Sequence, residues 1–198
     1  MYRVLDVAAF ILRERAGWTD TLALQKLVYY AQAWSLVWDG RPLFREPVEA
    51  WIHGPVVRAL WDLHRERPQV SAIPGGQPEA LDETAAATVR AVLGFYGKRH
   101  AGWLVDLSHR EEPWRKARGS LPPDVPGDAE IDHASMRAYY GSAGLKKGVF
   151  TKAYARGLKL LASTPLYDLP AFLDETTRDA EGLEEWLETG AGDPWAPS

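Results

Sequence analysis

Apolar positions along the chain repeat mainly at helical spacing. A first helix is predicted near the amino terminus, with an apolar face of Val4, Ala8, Ile11 and Leu12. A second helix begins after Thr19 or Asp20, either of which can cap it, and ends at Asp39-Gly40, where glycine tolerates a positive φ. Its buried stripe is predicted to be Leu24, Leu27, Val28, Ala31, Trp34 and Trp38.

The later part of the chain repeats this helical pattern. Asp82 caps a helix whose apolar positions are Ala85, Val89, Val92, Leu93 and Tyr96. A shorter helix around Trp103 is predicted to end near Glu112-Pro113, and another runs from Asp132 through Tyr140. The pattern therefore predicts a mainly α, compact helical domain.

One short segment between the helices has a different pattern. Pro42 and Pro47 bracket an extended stretch, and the mixed polarity of residues 48–52 is compatible with a strand. We expect a short extended or β-hairpin element around residues 43–53. Gly54-Pro55 follows and is typical of a helix start with proline in the first turn, so a helix is predicted to run to about Arg67.

Three glycines in residues 141–148 mark the predicted boundary of the helical domain. Residues 1–141 form that domain, and residues 142–198 form a helical extension. Residues 145–161 contain five basic and no acidic residues, which predicts an amphipathic basic helix. Residues 174–198 contain eight acids and one arginine, an acidic tail.

Composition excludes several classes of function. A net charge of −4 lacks the basic excess of a dedicated nucleic-acid binder, so nucleic acid is not expected as a partner. Cysteine is absent, which excludes disulfides and thiolate chemistry and fits the reducing cytoplasm. The amino terminus reads as a helix rather than a signal peptide, and no apolar run approaches about 18 residues, so no membrane association is expected.

Familiar catalytic and metal-binding motifs are absent from the sequence. There is no nucleophile elbow, no phosphate-binding loop and no pair of histidines at one-turn spacing. The five histidines are scattered along the chain. A zinc site built from them and Glu49 would require the fold to bring distant residues together. We therefore expect no catalytic residue, no metal and no cofactor.

Lys26, Tyr29 and Tyr30 form the first candidate site, on the second helix. One interpretation is a partner-binding surface, because tyrosine gives rigid contact area with a polar tip. The simpler alternative is that Tyr30 covers the edge of the core while Lys26 is solvated.

Glu49, Trp51 and His53 form the second candidate site. Alternation along an extended segment would place them on one side, next to the predicted helix start at Gly54-Pro55. An acidic or phosphate-like group of a partner would dock there. In the alternative, Glu49 satisfies local donors and Trp51 fills the core.

His109 and Trp114 form the third candidate site. A helix that ends at His109 could bring this side chain beside His53 as an acid–base pair in a cleft. Alternatively, Trp114 is buried and His109 binds a carbonyl at the helix end.

Several sequence segments together resemble one known family. These segments are LQKLVYYAQAW from Leu24, GRPLFREPVEAWIHGPVVRALW from Gly40, VLGFYG from Val92 and LSHREEPWRKAR from Leu107. Their types and order resemble the Panacea domain of SocA-like phage-associated antitoxins, from about Leu5 to Tyr140.

The resemblance implies a cytoplasmic antitoxin of a bacterial toxin–antitoxin system, which neutralises its cognate toxin by direct binding. It also implies a protease as a further partner if the protein is an adaptor. The residues assigned to partner binding are Lys26, Tyr29, Tyr30, Glu49, Trp51, His53, His109 and Trp114. Two alternatives remain open: a hydrolase or transferase that uses His53, Glu49 and His109, and a DNA-binding autoregulator that uses the basic helix 145–161.

Overall fold

The computed structural model describes the backbone of residues 1–147 and the side chains of residues 1–142. The α-helices of this part are α1 (Val4–Arg15), α2 (Thr21–Trp38), α3 (Arg58–His64), α4 (Glu83–Tyr96), α5 (Ala101–Arg110), α6 (Glu112–Arg118) and α7 (His133–Lys147). The strands are β1 (Thr19–Asp20), β2 (Glu49–Trp51), β3 (Gly54–Val56) and β4 (Gln69–Val70), and a 3-10 helix spans Pro78–Ala80. The mainly α fold class is confirmed.

Helix α2 lies at the centre of the fold. Helices α1, α3, α4 and α5 and strand β3 all pack against it. Every residue from Ala23 to Leu36 is buried, so the helix buries more than the predicted apolar stripe, although Trp38 of that stripe is only half-buried. A helix enclosed on all sides must also bury its polar residues, and each of these needs a hydrogen-bond partner.

Two of the predicted helix caps are confirmed. The carboxylate of Asp20 accepts a hydrogen bond from the Ala23 N–H at 3.0 Å, and that of Asp82 accepts one from the Ala85 N–H at 2.8 Å. At its other end α2 is followed by Gly40, which has a φ of 67°. Local signals therefore set both ends of α2 and the start of α4.

The predicted helix start at Gly54-Pro55 is wrong. These residues belong to strand β3, which pairs antiparallel with β2 so that Trp51 lies opposite Gly54 and Ala50 opposite Pro55. Gly54 has a φ of 89°, which a helical residue cannot have. Helix α3 begins three residues later, at Arg58, and ends at His64 rather than near Arg67.

The helix predicted to end near Glu112-Pro113 ends slightly earlier, at Arg110, and a further helix that was not predicted, α6, begins at Glu112. Glu111, with φ −81° and ψ 137°, is extended and separates α5 from α6. Pro113 lies in the first turn of α6, where its missing N–H has no intrahelical partner to lose. The predicted helix capped by Asp132 is present as α7 and continues past Tyr140 to Lys147.

Further features lie outside the reach of the sequence pattern. Strands β1 and β4 form a small antiparallel sheet whose two-residue strands are too short to show alternation.

No helix within the described residues is both long and apolar enough to cross a bilayer. Residues 1–141 form one compact unit, while the predicted acidic tail and most of the predicted basic helix lie outside the described residues.

Gln32 on α2 fixes the chain that leads to the hairpin. Its Oε1 accepts hydrogen bonds from the N–H groups of Leu43 and Phe44, at 2.8 and 3.0 Å. Its Nε2 donates to the Phe44 carbonyl at 3.0 Å and lies 3.0 Å from Nε2 of His133. One buried amide thus replaces the pairing that a strand would give these backbone groups.

We predict that Gln32→Leu lowers the free energy of unfolding. It leaves two buried N–H groups without acceptors, at about 1–3 kcal/mol each. Urea denaturation measures the loss. The matched control is Gln69→Leu, at an exposed position of β4; equal losses in the two variants would contradict the role given to Gln32.

Candidate functional site

The turn of the β2–β3 hairpin meets the junction of α5 and α6. The indole N–H of Trp114 donates to the Trp51 carbonyl at 3.0 Å. The rings of His109 and Trp114 stack with centroids 4.2 Å apart and planes 18° apart. His53 is exposed in the turn, and its charge acts on His109. The structure therefore brings together residues of the second and third candidate sites.

Glu49 organises the outer side of the hairpin. Its two carboxylate oxygens accept from Arg58 at 3.0 and 2.7 Å, and Oε2 also accepts from the Trp51 indole at 2.7 Å. The Arg58 guanidinium lies over the Trp51 ring, 5.0 Å from its centroid, and Trp61 packs edge-on against that ring. The Glu49 side chain is 13% exposed and that of Arg58 is 47% exposed. We call Trp51, His53, Arg58, Trp61 and Trp114 the hairpin face.

This geometry decides between the two interpretations of Glu49. The carboxylate satisfies neighbouring donors, as in the simpler interpretation, but Trp51 is only half-buried and does not fill the core. The expected anion site at a helix start is absent here, because Gly54-Pro55 is strand and α3 has only seven residues. Glu49 is a structural anchor for the hairpin face.

Lys26 on α2 contacts the buried side of the hairpin. Its side chain is fully buried, and Nζ donates to the Pro55 carbonyl at 2.9 Å. Burial lowers its pKa to about 7. Gly54 lies directly against it: a Cβ there would be 2.8 Å from Lys26 Cε and 2.7 Å from Ser108 Oγ. Only glycine fits this position, both for its φ and for this contact.

The first candidate site requires a correction. Lys26, Tyr29 and Tyr30 are all 0% exposed, so they are not an exposed contact surface, and Lys26 is not solvated. Helix α2 is enclosed on every side, which the apolar periodicity alone did not indicate. The partner-binding role of the remaining assigned residues, Glu49, Trp51, His53, His109 and Trp114, stays a prediction.

The two buried tyrosines instead belong to a hydrogen-bonded cluster around Glu111. Oε2 of Glu111 accepts from the hydroxyls of Tyr30 at 3.1 Å and Tyr140 at 2.6 Å, and the Tyr140 hydroxyl lies 3.0 Å from that of Tyr29. Tyr30 also stacks on Tyr96 with centroids 4.0 Å apart. Burial raises the pKa of Glu111 to about 8, although the two phenol hydrogen bonds act in the opposite direction.

Glu111 was missed at the level of sequence. It falls between His109 and Pro113, where charged residues on both sides give no sign that this one is buried. Only the fold shows that α2 and α7 bring phenols to it. The cluster joins α2, α4 and α7 to the α5–α6 junction that carries His109 and Trp114.

The hydrogen bonding of His109 is incomplete. Its Nε2 is buried and has no hydrogen-bond partner among the described residues. The pKa of His109 is lowered, first by burial and then by the positive charges of Lys26, His53 and Arg118, while Asp106 opposes the shift.

The chemistry available at the site is mainly that of recognition. Within the described residues no group of three or more histidine and carboxylate side chains could hold a metal ion. Ser108, next to His109, is buried and donates its hydroxyl to the Val105 carbonyl at 2.9 Å. What the hairpin face offers to solvent is aromatic rings and an arginine in a fixed arrangement.

Another aromatic side chain is exposed elsewhere on the fold. Trp18 is 70% exposed and lines a surface groove with Glu66, Arg67, Pro68 and Gln69. None of its neighbours there belongs to the hairpin face. It provides a natural comparison for that face.

We predict that Gly54→Ala destabilises the fold. The new Cβ collides with Lys26 and Ser108 at a positive φ, and each of these effects costs about 1–3 kcal/mol. Thermal or urea unfolding measures the change. Gly94→Ala, inside α4 where a Cβ meets nothing within 4 Å, is the matched control. It should stabilise by about 0.5–1 kcal/mol, and the same sign in both variants would count against the close packing at Gly54.

We predict that Glu111 makes folding stability depend on pH. Its pKa of about 8 exceeds the ordinary 4.5, so between these values the folded chain holds a proton that the unfolded chain has lost. Stability from this group is therefore full at low pH and decreases as pH rises, by up to about 1.4 kcal/mol per unit.

Glu111→Gln removes this dependence. Urea denaturation of both proteins from about pH 5 to about pH 7 should show the native chain losing stability relative to the variant. The difference between the two proteins isolates Glu111 from the histidines, which titrate in the same range. Glu112→Gln, one residue on and exposed, is the matched control. A constant difference across this range would show that Glu111 is ionised in the folded chain.

Comparison with known proteins gives a match to one family model. Residues 24–115 match the family model described as Antitoxin SocA-like, Panacea domain. The match runs from α2 to α6 and includes all eight residues assigned to partner binding, although it is shorter than the range over which the sequence was seen to resemble the family. No curated protein and no solved structure shows significant similarity to the chain.

Proposed function

We propose that the chain is an antitoxin that neutralises a toxin protein by binding it directly, because residues 24–115 match the family model described as Antitoxin SocA-like, Panacea domain. The family match is the observation that carries this proposal. The site agrees with it, since the chemistry offered to solvent is that of recognition. The toxin is proposed to be encoded beside the chain and to be met in the cytoplasm, a location that the absence of cysteine supports.

The hairpin face is the proposed contact surface. Tryptophan and arginine are the side chains that most often carry binding energy at protein interfaces. Here Glu49 fixes Arg58 and Trp51 through three hydrogen bonds, and Trp114 fixes the turn. Side chains held in place before binding lose less conformational entropy when the complex forms.

The two alternatives have less support. An enzyme that used Glu49 as a base would first have to release it from Arg58 and Trp51. DNA binding through residues 145–161 depends on a segment that lies mostly outside the described residues. Alanine at His53 or His109 separates an enzyme from a binder, since an enzyme loses turnover while its fold stays intact.

Co-expression tests the antitoxin function. The protein encoded by the adjacent gene is produced alone and together with this chain, and growth is compared. We expect growth arrest that the chain relieves, and copurification of the two proteins. A neighbour that is harmless alone, or whose toxicity persists beside the folded chain, would remove the proposal.

We predict that Trp51→Ala and Arg58→Ala each weaken the complex with that protein by about 2 kcal/mol, or roughly 30-fold in Kd. Isothermal titration calorimetry measures the affinities, and circular dichroism checks that each variant is folded. Trp18→Ala is the matched control because it removes an exposed tryptophan elsewhere on the fold. If only Trp18→Ala weakens the complex, the interface lies at the Trp18 groove instead.

A further inference from the structure

Residues 129–131 pair with the edge of β2 and widen the sheet that carries the hairpin face. The Ala50 N–H donates to the Ala129 carbonyl at 2.8 Å, and a second backbone hydrogen bond of 2.8 Å joins the two segments on the other side of Glu49. Between these bonds, Glu49 and Glu130 lie directly opposite each other in an antiparallel bridge. This is the non-hydrogen-bonded type of antiparallel pair, in which the two side chains approach most closely.

Two carboxylates therefore face each other on one side of the sheet. Like charges in directly opposite positions destabilise a pair of strands. Arg58 offsets the charge of Glu49, to which it donates at 3.0 and 2.7 Å. Glu130 is exposed, and it forms no ion pair with any residue that the structure describes. The fold thus carries Glu130 at a position where its charge opposes stability.

Two further carboxylates lie on the same side of the hairpin. Asp128 precedes Glu130 by two residues and so shares its side of the sheet, and its Oδ2 lies 3.7 Å from Nη2 of Arg58. Asp62 follows Arg58 by four residues on α3, at the spacing that puts both on one helix face. All three of these acids are exposed, so a partner can reach them. We call Asp62, Asp128 and Glu130 the acidic rim.

The described cations do not balance this rim. Both hydrogen-bonding nitrogens of Arg58 are directed to Glu49, so what this side chain offers a partner is mainly its planar surface over Trp51. Helix α6 packs against β2, but its exposed Arg115 and Lys116 form no ion pair with the rim among the described residues. The hairpin face therefore combines aromatic rings at its centre with negative charge at its edge.

We propose that the toxin meets the hairpin face with a basic surface, whose lysine or arginine side chains contact the acidic rim while its apolar atoms cover Trp51 and Trp61. This inference rests on the proposed antitoxin function and names the chemistry of the partner. A cation between Glu49 and Glu130 relieves their repulsion, and an arginine there can also stack on an indole ring. A partner with acids at this position is repelled, so the rim also selects among partners.

Glu130 distinguishes this proposal from a structural role for the rim. Because its carboxylate faces another one, Glu130→Gln should leave the melting temperature unchanged or raise it. The same substitution should weaken the complex, and Glu130→Lys should weaken it further because it presents a positive charge to a basic surface. A residue that served only the fold would show the opposite combination, with stability lost and affinity kept.

Stopped-flow association of the full chain with the protein encoded by the adjacent gene tests the proposal. We expect the association rate constant to decrease by about tenfold or more between about 20 mM and about 500 mM salt, because salt screens the attraction between opposite charges. At the lower salt concentration, Glu130→Lys should slow association by about threefold to tenfold and reduce the dependence on salt.

Glu79→Lys is the matched control. It makes the same change of charge at an exposed position of the 3-10 helix, which packs against α1 rather than the hairpin. It should change association by much less than Glu130→Lys, because it alters the net charge but not the charge of the rim. Equal effects of the two substitutions would show that net charge alone acts, and would overturn the assignment to the hairpin face.

The remaining outcomes separate this inference from the proposed function. A complex that forms at the same rate at every salt concentration and with Glu130→Lys overturns the basic contact and leaves the antitoxin function standing. Faster association of Glu130→Lys would show that the toxin is acidic where it meets the rim, which also overturns the inference alone. Failure to form a complex at any salt concentration removes both.

Discussion

The enclosure of helix α2 is the constraint on which the rest of the structure depends. Because every residue from Ala23 to Leu36 is buried, each polar side chain in that stretch must find its partner inside the protein. Gln25 binds the backbone of Val57 just before α3, Gln32 binds the chain before the hairpin, and Lys26 binds the hairpin itself. The partners are backbone groups of irregular segments, so one helix fixes the positions of loops that have little regular pairing of their own.

The same helix positions the hairpin face without contributing to it. Lys26 and Gly54 hold the turn at van der Waals distance, and Tyr30 reaches Glu111 at the α5–α6 junction from the next turn of α2. The two segments that form the face are therefore attached to one rigid element. Lys26 and Tyr30 were predicted to bind a partner. Because both are buried, they instead position other residues that a partner can reach.

Sequence reasoning succeeded where a signal was local. Helices α2 and α4 each combine an apolar stripe with an aspartate whose side chain caps the first turn, and both were placed correctly at that end. It failed at Gly54-Pro55, where the same dipeptide suits a helix start or a strand. Pairing with β2 and contact with Lys26, which is 28 positions earlier in the chain, select the strand, and neither can be read from neighbouring residues.

The same distinction between local signals and long-range contacts applies to the candidate site. Sequence reasoning could single out Glu49, Trp51, His53, His109 and Trp114, because aromatic and charged residues in short irregular stretches stand out against helical periodicity; their role in binding a partner stays a prediction. Burial was not predictable, since Lys26 and Glu111 look like ordinary surface residues until α2 is enclosed by its neighbours. One acidic and one basic side chain are thus buried, with Glu111 hydrogen-bonded to phenols and Lys26 to a carbonyl.

The buried ionisable residues differ in how the fold satisfies them. Glu111 is satisfied within the fold, because two tyrosine hydroxyls donate to it and its raised pKa keeps a proton on the carboxyl at neutral pH. Within the part of the chain that the structure describes, Lys26 and Arg118 donate to carbonyls only, and the buried Nε2 of His109 has no hydrogen-bond partner. Buried cations that have only carbonyl acceptors stabilise the fold less than cations paired with a carboxylate would.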